Sequence, residues 1–269
     1  MRSPPLIAAH LRRDRAIIAG CLLGVATVAW GYLVHLNGQM PPSIGMGSGM
    51  AGMRALAPPS DVTQWWLTFV MWAVMMVGMM SPSAAPALLL YAETQSRHPE
   101  RGARAARLAA FALGYVAVWT GFSAAAATAQ WAAGEAELMT PAMRVVSARA
   151  AGVILLLAGA YQLTPAKRAC LRQCQSPLGF LMSRWRDGVR GALEMGLRHG
   201  IFCLGCCWAL MGVLFAVGVM NLMWVAALAA FILLEKLGWA GAGVTRVSGA
   251  AMIVVGVLMI LTGRGSAPV

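Results

Sequence analysis

Long runs of apolar residues, separated by short polar and basic stretches, dominate this sequence. A run of about 20 apolar residues crosses the hydrocarbon core of a bilayer as a helix, because lipid offers the backbone no other hydrogen-bond partner. The pattern therefore predicts an all-α protein, a polytopic transmembrane helical bundle with about seven spans. The predicted spans are residues 16–36, 63–92, 108–131, 145–163, 199–220, 222–234 and 247–261.

Two of these segments are less regular than the others. The second is about 30 residues long, and Pro82 and Pro86 within it predict a kink or the end of its membrane part. The sixth ends early, at Glu235 and Lys236, which we interpret as an ion pair at the membrane interface. A bundle of six spans is therefore the alternative to seven.

Basic residues divide unevenly between the two sides of the predicted bundle. With the N-terminus inside, 17 of the 21 Lys and Arg residues lie in the inner segments, and an excess of positive charge marks the cytoplasmic side. We therefore expect an N-in orientation and a single membrane domain over residues 1–269. Its parts outside the spans are a basic cytoplasmic N-terminus (1–15), an outer loop rich in Met, Gly and Pro (37–62) and a basic cytoplasmic loop with room for a surface helix (165–198).

The composition excludes several classes of protein. Apolar residues make up 59% of the chain and charged residues 11%, whereas soluble domains are about 25% charged. The net charge of +12 lies between the apolar segments, so it indicates membrane topology and no nucleic-acid partner. The sequence also lacks H-E-x-x-H, G-x-S-x-G and phosphate-binding motifs, so nothing in it predicts a hydrolase or an ATP-driven protein.

Sulfur-containing side chains are the candidate chemistry of this chain, which holds 19 Met and 6 Cys. A thioether is neutral and polarisable, so it can lie in lipid and still bind a soft ion such as Cu(I). Five methionines lie close together in the second span: Met71, Met75, Met76, Met79 and Met80. The first, second and fourth of them form an i, i+4 stripe. The alternative is that these side chains only fill gaps between helices.

A second sulfur cluster lies in the fifth span. His199, Cys203, Cys206 and Cys207 fall within about 100° of arc on one helix, and Met211 follows one turn later. A thiolate is a strong soft ligand, and a membrane tolerates its charge when a cation neutralises it. Both sulfur clusters are predicted at the same depth, about 18–24 Å from the outer edge at 1.5 Å per residue. The alternative is that the thiols are small packing residues.

Two further sulfur groups lie outside the predicted spans. Cys170 and Cys174 form an i, i+4 pair in the basic inner loop, which we interpret as a point of metal exit or entry, with a simple surface pair as the alternative. Met46, Met50 and Met53 lie in the outer loop. Thioethers there suit transient capture of Cu(I) in an oxidising compartment, and chance spacing is the alternative.

These motifs resemble those of a bacterial family of uncharacterised, predicted metal-binding integral membrane proteins. The resemblance runs from about Gln64 to the end of the sixth span. It is carried by Met71-Trp72…Met75-Met76…Met79-Met80-Ser81-Pro82, Lys167…Cys170-Leu171…Cys174…Pro177, Gly200…Cys203-x-Gly205-Cys206-Cys207-Trp208…Met211, Asn221-Leu222…Trp224 and Glu235-Lys236. The resemblance implies a multi-pass protein of the bacterial inner (cytoplasmic) membrane that is connected with metal, copper above all.

The sequence thus predicts a membrane protein that binds Cu(I) for copper transport, delivery or homeostasis. Zinc is the second metal, because one nearby His and many thioethers suit it less well. The expected partners are the lipid bilayer, the metal ion, and a copper chaperone or cuproenzyme assembly factor. Two alternatives are a membrane thiol–disulfide oxidoreductase and a structural or assembly subunit of a membrane complex, with sulfur used for packing only.

Overall fold

A computed structural model describes residues 5–39, 61–95, 101–139, 145, 147–238 and 241–263 of the chain. This part is helical apart from turns, caps and one antiparallel bridge between Met139 and Val145, which confirms the predicted all-α fold class. The helices are α1 (Pro5–Gln39), α2 (Asp61–Gln95), α3 (Arg101–Glu135), α4 (Ala148–Gln162), α5 (Pro165–Gln175), α6 (Pro177–Arg184), α7 (Gly188–Gly212), α8 (Leu214–Val217), α9 (Leu222–Lys236) and α10 (Gly241–Thr262).

Five helical stretches in the described residues are long and apolar enough to cross a membrane. They are Arg15–Gly38, Val62–Gln95, Gly102–Glu135, Gly188–Val217 and Gly243–Thr262. The other two predicted spans correspond to α4 and α9, which have 15 residues each. A helix of that length is shorter than the roughly 20 residues of a full crossing. The count of seven spans and the N-in orientation stay predictions.

Helix α2 continues through both of its prolines, Pro82 and Pro86, so neither ends the helix. Side-chain donors lie close to this part of the backbone. The carbonyl oxygen of Met80 accepts hydrogen bonds from Ser83 Oγ at 2.9 Å and from Tyr115 Oη at 3.3 Å. These bonds add to the helical ones, since the carbonyl oxygens that lose their partner to the prolines are those of Gly78 and Pro82.

Glycines let α3 and α7 approach each other closely. A Cβ atom on Gly196 of α7 would lie 2.0 Å from the carbonyl oxygen of Phe111, and one on Gly114 of α3 would lie 2.4 Å from that of Leu193. Small residues allow such backbone contact between apolar helices, where van der Waals packing supplies much of the attraction. The tight contact fixes α7, and with it the cysteines, against α3.

The stretch 165–187 folds back onto the helical bundle, whereas residues 188–198, expected in the same loop, belong to α7. Thr164 caps α5 by accepting a hydrogen bond from the backbone N–H of Lys167. Leu171, Phe180 and Leu181 bury their side chains in the core. Helix α5 packs against α7, and α6 contacts α2. As a result, α5 lies beside the part of α7 that carries the cysteines.

Candidate metal centre

Side chains from α9 and α3 contact the sulfur atom of Cys203, which is 2% exposed, and side chains from α2 lie next to them. Its Sγ lies 2.9 Å from Lys236 Nζ of α9 and 3.1 Å from Tyr115 Oη of α3. The same Nζ lies 3.6 Å from Met80 Sδ and 3.1 Å from Ser83 Oγ, both on α2. A thioether of the second apolar segment and a thiol of the fifth therefore adjoin one buried ammonium group.

Three more thiols surround Cys203. The Sγ atoms of Cys206 and Cys207 each donate a hydrogen bond to its carbonyl oxygen at 3.0 Å. Cys174 on α5 packs against the core that contains Cys203 and Cys206. Contact with these two thiols, together with burial, raises the pKa of the Cys174 thiol well above its usual range. A shorter helix thus adds a thiol to the three of α7.

Cys170 approaches the same region through a gap left by a glycine. A Cβ atom on Gly205 would lie 2.8 Å from Cys170 Sγ. Burial, with a smaller contribution from Cys206, raises the pKa of the Cys170 thiol. Both Cys170 and Cys174 are partly exposed, whereas the three thiols of α7 are buried. The thiols of α5 therefore extend the buried cluster toward the surface of the protein.

His199 lies one turn before Cys203 and is enclosed by aromatic rings. The centroids of Phe180, Tyr115 and Phe111 lie 5.3, 5.7 and 6.1 Å from the imidazole centroid. Its Nδ1 atom is buried and has no hydrogen-bond partner among the described residues. Buried polar atoms without a partner are uncommon, so this nitrogen is a candidate ligand atom.

The other predicted ligands lie farther from these contacts or outside the described residues. Met80 is the methionine of α2 that Lys236 connects with the thiols. The remaining four and the methionine of α7 are buried in the same core as the cysteines: Met71, Met75, Met76, Met79 and Met211. The outer-loop methionines, Met46, Met50 and Met53, lie outside the described residues.

The donor set at Cys203 fits a soft ion better than it fits zinc. No group of three or more His, Cys, Asp and Glu side chains in the described part of the chain is placed to hold a metal ion. A tetrahedral zinc site would need such a group. Cu(I) accepts thioethers as well as thiolates, so a site with fewer thiolates and Met80 would suit it.

Glu235 and Lys236 are not an interfacial ion pair, so that interpretation of the sequence is wrong. Their side chains are 2% and 6% exposed, and Glu235 Oε2 pairs with Lys167 Nζ at 2.7 Å. Successive helical residues point about 100° apart. Because of this angle, Glu235 faces α5 and Lys236 faces the sulfur atoms.

The carboxylate of Glu235 belongs to a polar network that joins α4, α5, α9 and α10. Its Oε1 accepts hydrogen bonds from Thr245 Oγ1 at 2.9 Å and from Gln162 Nε2 at 3.3 Å. Lys167 Nζ also donates to Gln162 Oε1, and the amide of Gln175 donates to the Glu235 carbonyl oxygen at 2.8 Å. These bonds stabilise the end of α9 that carries Lys236.

The sequence pattern did not identify Lys236 and Tyr115 as parts of the site. One signal was available for Lys236, since an ionisable residue at the edge of an apolar segment is a candidate functional group. Tyr115 carries no comparable signal, because a tyrosine within an apolar helix is an ordinary packing residue. Its position at Cys203 becomes visible only when α3 and α7 are placed together.

The comparisons with known proteins point in the same direction as these donors. No curated protein and no solved structure matches the chain significantly. A family model described as the PpoB2 copper chaperone matches residues 69–259, which is well over half of the chain. The match extends from the methionines of α2 through the cysteines of α7 into α10. This chain is therefore a member of the PpoB2 copper chaperone family.

Proposed function

We propose that this protein binds Cu(I) inside a membrane and passes it on, as a permease or as a chaperone for cuproenzyme assembly. The observation that carries the proposal is the placement of Met80 Sδ and Cys203 Sγ beside the same buried cation, the ammonium of Lys236. Two soft donors from separate helices thus share a pocket that already accommodates a positive charge. Membership in the copper chaperone family supports copper as the ion.

The partly exposed thiols of α5 suggest how the ion leaves the site. Cys174 packs against the core that contains Cys203 and Cys206, and Cys170 lies against Gly205. Sulfur ligands of similar strength permit the ion to exchange from one to the next. We infer that Cu(I) is captured by Met46, Met50 and Met53, is held at Met80 and Cys203, and leaves by way of Cys174 and Cys170.

The membrane setting of the proposal rests on the apolar helices. Five of them are long enough for a crossing, and the distribution of Lys and Arg favours an N-in orientation. With that orientation in a bacterial inner membrane, and with α4 crossing as a further span, α5 lies on the cytoplasmic side. A copper chaperone or cuproenzyme assembly factor would then receive or supply the ion at one face of the bundle.

The proposal is tested by measuring Cu(I) bound to the detergent-solubilised protein under anaerobic conditions. Replacing two central donors, Cys203→Ser with Met80→Leu, should remove most of the bound copper. The matched control is Cys21→Ser with Met182→Leu, which changes an exposed thiol and a methionine that is 77% exposed. Copper retained by the first double variant at the level of the control would overturn the proposal.

The same preparation separates copper binding from thiol–disulfide exchange. Adjacent cysteines such as Cys206 and Cys207 form only a strained disulfide, and in the structure each donates to a carbonyl oxygen instead. Mass spectrometry after alkylation should therefore show the same number of reactive thiols before and after mild oxidation. A loss of two thiols on oxidation, reversed by reductant, would favour the oxidoreductase.

A further inference from the structure

We propose that Lys236 makes the site at Met80 and Cys203 selective for a monovalent soft cation over a divalent one. This inference rests on the proposed function and specifies which ions the site admits. The soft donors alone would also bind divalent ions such as Cd²⁺ or Zn²⁺. The charge around the donors must therefore distinguish a monovalent ion from a divalent one. Its basis is the position of one buried ammonium group among thiols.

The ammonium group of Lys236 is surrounded by sulfur and hydroxyl groups. Its Nζ contacts Cys203 Sγ at 2.9 Å, Ser83 Oγ at 3.1 Å and Met80 Sδ at 3.6 Å, and its side chain is 6% exposed. The neighbouring carboxylate, Glu235, is paired with Lys167 instead. Among the contacts of Lys236, the Cys203 thiol is therefore the group that can supply a balancing negative charge when it loses its proton, and a buried ammonium group without such a partner is costly.

Few ligands are placed to bind one ion beside Lys236. Cys174 packs against the core that holds Cys203, and Met80 adjoins Cys203 through the ammonium group. No three or more His, Cys, Asp and Glu side chains in the described ranges are placed to bind one ion. The set that the geometry offers is two thiols and one neutral thioether.

The net charge of the site with an ion bound follows from these ligands. On binding, each thiol releases its proton to water, both sulfur atoms donate an electron pair to the ion, and no redox change occurs. Two thiolates and the ammonium group leave one negative charge. A monovalent ion neutralises this charge, whereas a divalent ion leaves a net positive charge in a buried site, which is strongly unfavourable.

The ammonium group of Lys236 occupies the space that a bound ion would need. An ion bound by Met80 Sδ and Cys203 Sγ needs the space where Lys236 Nζ now lies. Ser83 Oγ already accepts a hydrogen bond from this nitrogen, so Lys236 can withdraw toward α2 and still have a partner. The ammonium group thus stays beside the loaded site, where its charge still acts on the bound ion.

The experiment compares the affinities of the full-length protein for Ag⁺ and Cd²⁺, two soft ions that do not change oxidation state under these conditions. The wild type should prefer Ag⁺. In Lys236→Met this preference should fall about a thousandfold, the size expected when one unit charge about 4 Å away is removed at an effective dielectric constant of about 20. Lys236→Arg keeps the charge and should keep the preference. Arg246→Met, at an exposed position of α10, should also leave it unchanged.

The ratio of two affinities in one variant is independent of how much of the protein is folded. If Lys236→Met is too unstable to purify, Lys236→Gln removes the same charge and keeps a hydrogen-bond donor. An unchanged ratio in a variant that still binds Ag⁺ would overturn the role of Lys236 and leave the copper proposal standing. A wild type that binds neither Ag⁺ nor Cu(I) would overturn both.

Discussion

Glu235 and Lys236 are adjacent in the sequence, yet their side chains enter two different buried networks. The carboxylate of Glu235 pairs with Lys167 at 2.7 Å, while the ammonium group of Lys236 lies 2.9 Å from Cys203 Sγ. Two adjacent residues of α9 therefore connect a polar network among α4, α5 and α10 with the sulfur atoms of α2 and α7. The stability of the first network controls the position of a cation in the second.

Removing Lys167 should destabilise the protein strongly. The Lys167→Met variant leaves the carboxylate of Glu235 buried without its cation, which costs about 3–5 kcal/mol. Denaturant unfolding in detergent micelles measures the loss. The matched control is Arg186→Met, because its ion pair with Glu194 is largely exposed and such pairs contribute about 0–1 kcal/mol. Equal losses in both variants would contradict the buried network.

Adding a methyl group at the contact of α3 with α7 should also destabilise the fold. In Gly114→Ala the new Cβ would lie 2.4 Å from the carbonyl oxygen of Leu193, and overpacking of this kind costs about 1–3 kcal/mol. Gly121→Ala on the same helix has open space around it. There alanine should stabilise the helix by up to about 1 kcal/mol. Thermal unfolding of both variants checks the prediction, and a gain in Gly114→Ala would contradict it.

A substitution at Gly205 should change the exposure of a thiol without unfolding the protein. The Cβ of Gly205→Ala would lie 2.8 Å from Cys170 Sγ, the end of a short side chain that can turn away. We expect faster alkylation of Cys170 by a maleimide, measured by peptide mass spectrometry, and little change in melting temperature. Gly212→Ala, which has open space around its Cβ, is the control. An unchanged rate at Cys170 would mean that it does not lie against α7.

Removing the hydroxyl group of Tyr115 should weaken Cu(I) binding. Tyr115 Oη lies 3.1 Å from Cys203 Sγ and donates to the Met80 carbonyl oxygen, so it orients both donors. Loss of such a supporting hydrogen bond typically lowers metal affinity about 10- to 100-fold. Competition with a chromogenic Cu(I) chelator measures the affinity of Tyr115→Phe. Tyr32→Phe, on the exposed side of α1, should have the wild-type affinity, and so would Tyr115→Phe if this hydroxyl had no role.

The sequence by itself determined the helices and the two helices that carry most of the sulfur. Hydrophobicity is a property of each segment taken alone, because the bilayer or the core selects apolar side chains along one helix. For the same reason, the spacing of Cys203, Cys206 and Cys207 already placed three thiols on one part of α7. Their meeting with the methionines of α2 was predicted only from depth, which says nothing about which side chains touch.

The tertiary structure alone decided which partners the thiols have. The contacts of Cys203 with Tyr115 and Lys236 join residues 88 and 33 positions apart, and no periodicity along one helix encodes such distances. Helix packing decided them, through glycines that allow α3 to touch α7 and through a turn of about 100° between Glu235 and Lys236. Contacts between helices depend on shape at both surfaces at once, and a pattern along one segment carries only half of that information.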